Sequence, residues 1–117
     1  MGKFIFEDLQ VYQKALKLSE EIISEIKSTN YKYNRIRDQL IGAIISIPLN
    51  IAEGCGRTSK KDRIQFFNFA RSSSFEGIPL LEICVKFNII SSNSSVKFRN
   101  EIESISKMLS GLIKSNR

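Results

Sequence analysis

The densest group of cations in the sequence lies in and just after a glycine-bearing turn. Within residues 57–63 only Asp62 opposes these cations. The turn precedes a predicted helix, whose first backbone N–H groups favour anions, and basic side chains strengthen that preference. This arrangement predicts contacts with the phosphates of RNA or DNA that do not depend on base sequence. The predicted contact residues are Arg57, Lys60, Lys61 and Arg63.

A second basic group lies near the start of the preceding predicted helix and contains Lys32, Arg35 and Arg37. Residues 32–63 carry a net charge of +4 and residues 96–117 carry +3, out of a total of +6. The alternative interpretation is a solvated basic surface that only keeps the protein soluble. Self-association would favour the binding interpretation, because several copies of a +6 chain would repeat each basic group around one assembly.

The residue types that most enzymes need are missing or scattered. The chain has no His, which is the commonest general base and metal ligand. Asn50 and Glu53 have no partner base, and the acidic residues do not form a catalytic cluster. The Phe residues fall on apolar helical faces, so no base-stacking surface is predicted. We therefore expect a protein without enzymatic activity, cofactor or metal.

The sequence favours a cytoplasmic location without a membrane anchor. The longest apolar stretch, residues 40–52, covers about 13 residues, whereas a membrane helix needs about 20. Two unpaired thiols suit a reducing compartment. Cys55, between Gly54 and Gly56, is expected to be exposed and passive, and Cys84 is expected to pack in the core.

Apolar residues recur at helical spacing in four segments that are separated by short polar breaks. No sustained strand alternation occurs. This pattern predicts one all-α domain over residues 1–117, an antiparallel up-down-up-down four-helix bundle. The segments cover about residues 7–28, 33–53, 60–88 and 96–113.

Several residues are predicted to mark helix ends. Acidic residues 7 and 8 suit the start of the first helix. Gly54 is expected to cap the end of the second helix, and Ser59 with Asp62 to cap the start of the third. Residues 91–95 are predicted to form a polar turn.

The latter half of the second segment is too apolar for a simple bundle. Its apolar residues cover roughly 240° of the helical circumference, whereas a bundle helix needs little more than about 100°. This surplus predicts a contact with a neighbouring subunit, the alternative being a central helix buried in a compact monomer. Pro48 should kink the helix, and Gly77 with Pro79 should bend the third one. The narrow polar wedge contains Gln39, Gly42, Ser46, Asn50 and Glu53.

Three strings of residues resemble a known family. They are residues 6–15, the string Ser-Ile-Pro-Leu-Asn-Ile-Ala-Glu-Gly-Cys-Gly-Arg at 46–57, and Phe-Ala-Arg-Ser-Ser at 69–73. The chain resembles the four-helix-bundle proteins encoded by 23S ribosomal RNA intervening sequences, also called S23 ribosomal proteins. Ile41 and Gly42 stand where family members commonly carry a basic pair.

The resemblance implies a bacterial, cytoplasmic, all-helical protein that forms homopentameric rings and has no enzymatic activity. The family is similar to basic rings that accompany retroelements and bind nucleic acid and a reverse transcriptase. The family-motif residues expected at the subunit interface are Ile47, Pro48, Asn50, Ile51, Glu53, Gly54 and Arg71.

Asn50 and Glu53 are interpreted as part of a polar network that fixes the register of the subunits, with Arg71 as counter-ion. Glu53→Ala should then loosen the assembly more than it unfolds the chain, which gel filtration can check. The main hypothesis is thus a homo-oligomer that binds nucleic acid or a nucleoprotein. The alternative is a structural or adaptor ring with a protein partner, and a salt-dependent RNA gel shift would separate the two.

Overall fold

The computed structural model describes residues 4–26 and 31–117. In these two ranges the chain is all helical and contains no strand, which confirms the predicted fold class at that level. The α-helices are α1 (Gln10–Ile26), α2 (Asn34–Cys55), α3 (Lys60–Lys86) and α4 (Ser92–Ser115), and short 3-10 helices cover Ile5–Asp8 and Tyr31–Tyr33.

The first helix starts later than the sequence predicts, and the last one starts earlier. Residues 7 and 8 belong to the 3-10 helix, because the extended backbone at Leu9 separates them from α1. The predicted end of α1 near Ser28 lies outside the described residues. The polar turn predicted at residues 91–95 is wrong, since Ser91 caps α4 by accepting the N–H of Ser94 at 3.1 Å.

Two helix caps were predicted at the connection between α2 and α3, and the structure confirms one of them. Ser59 caps α3 as predicted, and its hydroxyl accepts the N–H of Asp62 at 3.1 Å. Gly54 does not cap α2, because the helix continues to Cys55 and the cap residue is Gly56. Gly54 is instead a buried residue inside the helix.

Two glycines allow the helices to approach closely at the core. A Cβ atom on Gly54 would lie 2.6 Å from Cε1 of Phe67. A Cβ atom on Gly77 would lie 3.1 Å from Cδ1 of Ile44 and 3.2 Å from Cδ1 of Ile102. These positions therefore serve the packing of α3 on α2 and α4.

The core takes one face from each helix. In α1 the buried apolar residues follow the spacing of four, three, four and four that a helix requires. The neighbouring apolar stripe of α1 is only partly covered, and Leu16 is 50% exposed. α1 contacts α4 through Lys97 and Glu21, 2.7 Å apart. The buried residues of α1 are Val11, Ala15, Leu18, Ile22 and Ile26.

The apolar surplus of α2 is visible as an uncovered flank. Leu40, Ile44 and Ile47 are fully buried, whereas Leu49 is 62% exposed and Ile45 is 36% exposed. The described residues therefore do not cover α2 on all sides, contrary to the alternative of a fully buried central helix. α2 continues through Pro48, which lies on its buried face.

Candidate nucleic-acid interface

The turn between α2 and α3 presents three of its four predicted contact residues to solvent. Arg57, Lys60 and Lys61 are exposed, and Lys60 and Lys61 form the first turn of α3. Arg63 is half-buried and has a structural role. Its Nη1 donates to the backbone oxygens of Arg57 at 3.1 Å and Thr58 at 2.9 Å, so it holds the turn in place.

Arg63 also connects this turn to the end of α4. Its Nε donates to Oδ1 of Asn116 at 2.9 Å, and Nδ2 of Asn116 donates to the backbone oxygen of Leu112 at 2.8 Å. The exposed cations Lys114 and Arg117 flank Asn116 and therefore join the basic turn at one end of the molecule. The +3 charge of residues 96–117 is the signal in the sequence for this contribution, but the sequence does not show that these residues lie beside the turn. We call Arg57, Lys60, Lys61, Lys114 and Arg117 the basic end.

Arg57 is the most constrained cation of the basic end. Its Nη2 lies 2.9 Å from Oε2 of Glu53, and both side chains are about half exposed, at 45% and 57%. Solvent and salt weaken such a surface pair, so the guanidinium can still exchange Glu53 for a phosphate. The same guanidinium lies 4.6 Å from the ring centroid of Phe66, which fixes its position beside α3.

The second basic group does not form a comparable surface. Arg37 is only 8% exposed and donates to Oδ1 of Asn34, which leaves little of its side chain accessible to a phosphate. Lys32 lies 5.6 Å from the ring centroid of Tyr33. Arg35 is exposed but lines a hollow together with Asp38, whose charge opposes it. This group lies at the other end of α2, and a helix of 22 residues is about 33 Å long.

The polar wedge of α2 faces α3 through a short hydrogen-bond network. Nδ2 of Asn50 donates to the backbone oxygen of Ser46 at 2.8 Å and to its hydroxyl at 2.9 Å. The Ser46 hydroxyl lies 2.8 Å from that of Ser73. Arg71 is not part of this network, and among residues 4–26 and 31–117 Glu53 pairs with Arg57 and not with Arg71. Its guanidinium lies 5.5 Å from the ring of Phe75, and its buried Nε has no hydrogen-bond partner in the part of the chain that the structure describes.

Most family-motif residues predicted at a subunit interface are buried within the chain. Ile47 and Ile51 are fully buried within the chain, and Pro48 and Gly54 are buried as well. The periodicity of the motif explains this, because these residues all lie on the inner face of α2. Asn50 is the half-buried member of the motif on α2.

The uncovered flank of α2 forms an apolar surface with the N-terminal residues. Phe4 and Phe6 stack at 5.8 Å and border an open groove of about 880 Å³. Ile45 and Leu49 lie in the same groove. A second, more apolar hollow of about 380 Å³ adjoins it between α1 and α2 and includes Leu16. We call Phe4, Ile5, Leu16, Ile45 and Leu49 the apolar flank.

An aromatic pair lies beside Arg57, although the sequence predicted no such surface. The ring centroids of Phe66 and Phe69 are 5.8 Å apart and the rings are perpendicular. Phe66 is half-buried, while Phe69 is 47% exposed. The sequence placed these residues on an apolar face of the third segment, but in the structure that face is only partly covered.

The two thiols are not activated. Burial raises the pKa of Cys55, and the nearby Arg63 only partly opposes this effect. Burial also raises the pKa of Cys84. The raised values disfavour the thiolate that nucleophilic chemistry needs. Cys55 is partly buried, so its predicted exposure is wrong, whereas the predicted burial of Cys84 is confirmed.

Neither a metal centre nor a membrane helix is found in the described part of the chain. Residues 4–26 and 31–117 contain no group of three or more His, Cys, Asp or Glu side chains suited to holding a metal ion. Among the helices in the same ranges, none combines the length and apolar character that crossing a bilayer requires.

Comparison with known proteins identifies the family. No curated protein matches the chain in sequence. A crystal structure of a protein of unknown function from the S23 ribosomal protein family of Bacteroides thetaiotaomicron is similar in fold, with a TM-score of 0.79 and 24% sequence identity over 89% of this chain and 98% of that chain. The model of the 23S rRNA-intervening sequence protein family matches residues 7–111. The chain therefore belongs to the 23S rRNA-intervening sequence protein family, as its sequence motifs indicated.

Proposed function

We propose that this chain is a non-enzymatic, self-associating helical bundle that binds RNA or DNA through the basic end. The observation that carries the proposal is the hydrogen bond between Arg63 and Asn116, which joins two basic segments at one end of the molecule. Contacts with phosphates need only exposed, closely spaced cations, and each contact releases counterions from the nucleic acid. Nucleic acid as partner and the two free thiols both suit a cytoplasmic location.

The proposal includes an antiparallel up-down-up-down arrangement in one domain over residues 1–117. Two contacts support it. Arg63 near the start of α3 contacts Asn116 just beyond α4. Glu82 near the end of α3 lies 3.6 Å from Arg99 near the start of α4.

We further propose that the chain assembles into a homo-oligomeric ring, with the pentamer of the family resemblance as the expected size. The apolar flank supports this step, because Phe4, Ile5 and Leu49 are 69%, 79% and 62% exposed. Covering such a patch with another copy removes apolar surface from water. The ring would repeat the basic end in each subunit, so that one polyanion could contact several copies at once.

A gel shift with a salt titration tests the binding proposal. A short RNA should bind at low salt, and the logarithm of the affinity should fall steeply and linearly with the logarithm of salt concentration. Changing Lys60 and Lys61 together to Gln should reduce both the affinity and the slope. A chain that binds no RNA or DNA at low salt would contradict the proposal.

Sedimentation or native mass spectrometry tests the assembly. Leu49→Glu should dissociate the ring because it places a charge in the apolar flank, while circular dichroism should show unchanged helix content. Glu53→Ala should loosen the assembly more weakly. A chain that sediments as a 13.4 kDa monomer at micromolar concentration would rule the ring out.

The second candidate function is an adaptor ring that binds another protein. Apolar surface outside the apolar flank favours it, because Ile83 and Phe87 at the end of α3 are 41% and 46% exposed and would remain available to a protein partner. An intact ring without RNA or DNA binding at low salt would support the adaptor.

A further inference from the structure

We propose that Phe69, supported by Phe66 and Arg57, stacks against an unpaired base of single-stranded nucleic acid. This inference rests on the proposed function and names the class of nucleic acid that the basic end prefers. Proteins that bind single strands combine cations along the backbone with aromatic rings for the bases. A duplex keeps its bases stacked on one another, so it could use the cations but not the ring.

The geometry provides a fixed aromatic support with one exposed ring. Phe66 is held against α2, since a Cβ atom on Gly54 would lie 3.2 Å from Cβ of Phe66. The Arg57 guanidinium lies 4.6 Å from the Phe66 centroid, and the Phe69 ring stands perpendicular to Phe66 at 5.8 Å. Phe69 remains 47% exposed, which leaves apolar ring surface in water for a base to cover.

The cations lie at a suitable separation from this ring. Lys61 precedes Phe69 by eight positions on α3, which corresponds to about 12 Å along the helix axis and about 80° around it, whereas Lys60 lies on the opposite side of the helix. A short single strand can span the distance from Lys61 to Phe69, with phosphates at Arg57 and Lys61 and one base at Phe69. Arg57 lies at the edge of the groove beside the apolar flank, whereas Phe69 lies on α3 and lines neither hollow, so the base site adjoins the apolar flank and its exposed ring is separate from it.

The chain contains a matched control for this site. Phe75 is 55% exposed, so it resembles Phe69 in exposure, and it differs in having the Arg71 guanidinium directly over its ring, 5.5 Å from the centroid. Six residues further along α3, however, Phe75 is more distant from Lys60 and Lys61. A general loss of exposed aromatic surface would therefore affect Phe75 and Phe69 variants alike, but loss of the base site would affect only Phe69.

Fluorescence anisotropy with labelled RNA of about 15 nucleotides, single-stranded or paired in a duplex, tests the inference. Phe69→Leu should weaken single-strand binding about tenfold and duplex binding less than twofold, without changing the salt slope. Phe75→Leu should leave both affinities unchanged, and Phe69→Trp should retain single-strand binding. An oligonucleotide with 2-aminopurine should show fluorescence quenching that the Phe69→Leu variant loses.

Three results would overturn the base site while leaving the proposed function intact. The first is equal weakening of single-strand and duplex binding by Phe69→Leu, and the second is no effect on either. The third is a Phe69→Leu variant with an altered assembly mass in sedimentation, which would place the ring in a protein contact. If the unaltered chain binds neither RNA, the proposed function fails and the base site fails with it.

Discussion

The two ends of α2 look equivalent in sequence and differ in the structure. Each has a group of basic residues close to a helix terminus. At the end of α2, the turn and the first residues of α3 expose Arg57, Lys60 and Lys61. At the start of α2, Arg37 is buried and Arg35 shares a hollow with Asp38. Similar local charge therefore gives one cluster of exposed cations and one group that is divided, because Arg37 is buried and Asp38 opposes Arg35.

The difference follows from the position of each cation relative to the helical period. Arg37 precedes Leu40 by three residues and Ile44 by seven, so it falls on the buried face of α2. The residues after Gly56 belong to the turn between the helices and to the first turn of α3. Most of them do not lie on a buried helical face, so their side chains remain exposed. For a nucleic-acid surface, the placement of the cations outweighs their number.

The largest expected effect tests whether close packing at Gly54 holds the basic end together. Gly54→Ala should destabilise the chain by about 1 to 3 kcal/mol, because the new methyl group would meet Phe67 at 2.6 Å. Gly42→Ala is the control, since a Cβ atom there meets nothing within 4 Å. That change should stabilise α2 by about 0.5 to 1 kcal/mol. Urea unfolding measures both, and equal effects would contradict the packing argument.

The second effect compares the two ends directly by charge removal. Changing Lys60 and Lys61 to Gln should weaken RNA binding about tenfold at low salt and lower the salt slope by about 1.5 to 2. The same change at Lys32 and Arg35 removes the same charge but should weaken binding less than twofold. Equal losses would show that net charge governs binding, and the comparison between the ends would fail.

The third effect separates the structural role of Arg63 from its charge. Arg63→Lys keeps the charge but cannot reproduce the bonds to Thr58 and Asn116, so the chain should lose about 1 kcal/mol of stability. Arg35→Lys, at the exposed position of the other end, should change stability by less than about 0.5 kcal/mol. Thermal unfolding of the two variants measures the difference, and an unchanged midpoint for Arg63→Lys would contradict the structural role.

The smallest effect concerns the α1–α4 face, where Glu101 lies near Glu21 among several lysines. Burial raises the pKa of Glu101, and the charge of Glu21 adds to that shift. The folded chain thus favours the protonated carboxyl, so stability falls as pH rises from the usual carboxyl pKa through the raised one. Glu101→Gln should therefore stabilise the chain at neutral pH by less than about 0.5 kcal/mol, and the gain should disappear in acid.

Thermal unfolding at several pH values measures this gain. The control is Glu103→Gln, which alters an exposed side chain 3.5 Å from Arg99 and should not stabilise. A Glu101→Gln gain that grows as the pH is lowered would show that the sign is wrong.

The sequence was sufficient for the features that depend on local pattern. Apolar spacing located the helices, and the Ser59–Asp62 pair correctly marked the start of α3. It could not show that Gly54 serves close packing, because that role depends on Phe67 in another helix. The hydrogen bond between Arg63 and Asn116 connects residues 53 positions apart, so the local spacing of residues could not predict it.

The burial of Arg37 could have been predicted from the sequence, because its spacing of three residues to Leu40 places both side chains on the same face of α2. The charge of an Arg nevertheless suggested the opposite interpretation. The stem of an Arg can pack against a core while its guanidinium finds a local acceptor, here Asn34. Phe69 was assigned to an apolar face for the converse reason, since apolar character does not show whether a neighbouring helix covers the face.

Because Gly54 packs against Phe67, the size of the side chain that fits at one of these positions depends on the size of the side chain at the other. A relative with a bulkier residue at the first position would need a smaller one at the second, so the two sites should vary in concert across evolution. A double exchange such as Gly54→Ala with Phe67→Leu should accordingly be tolerated better than the sum of its single exchanges suggests.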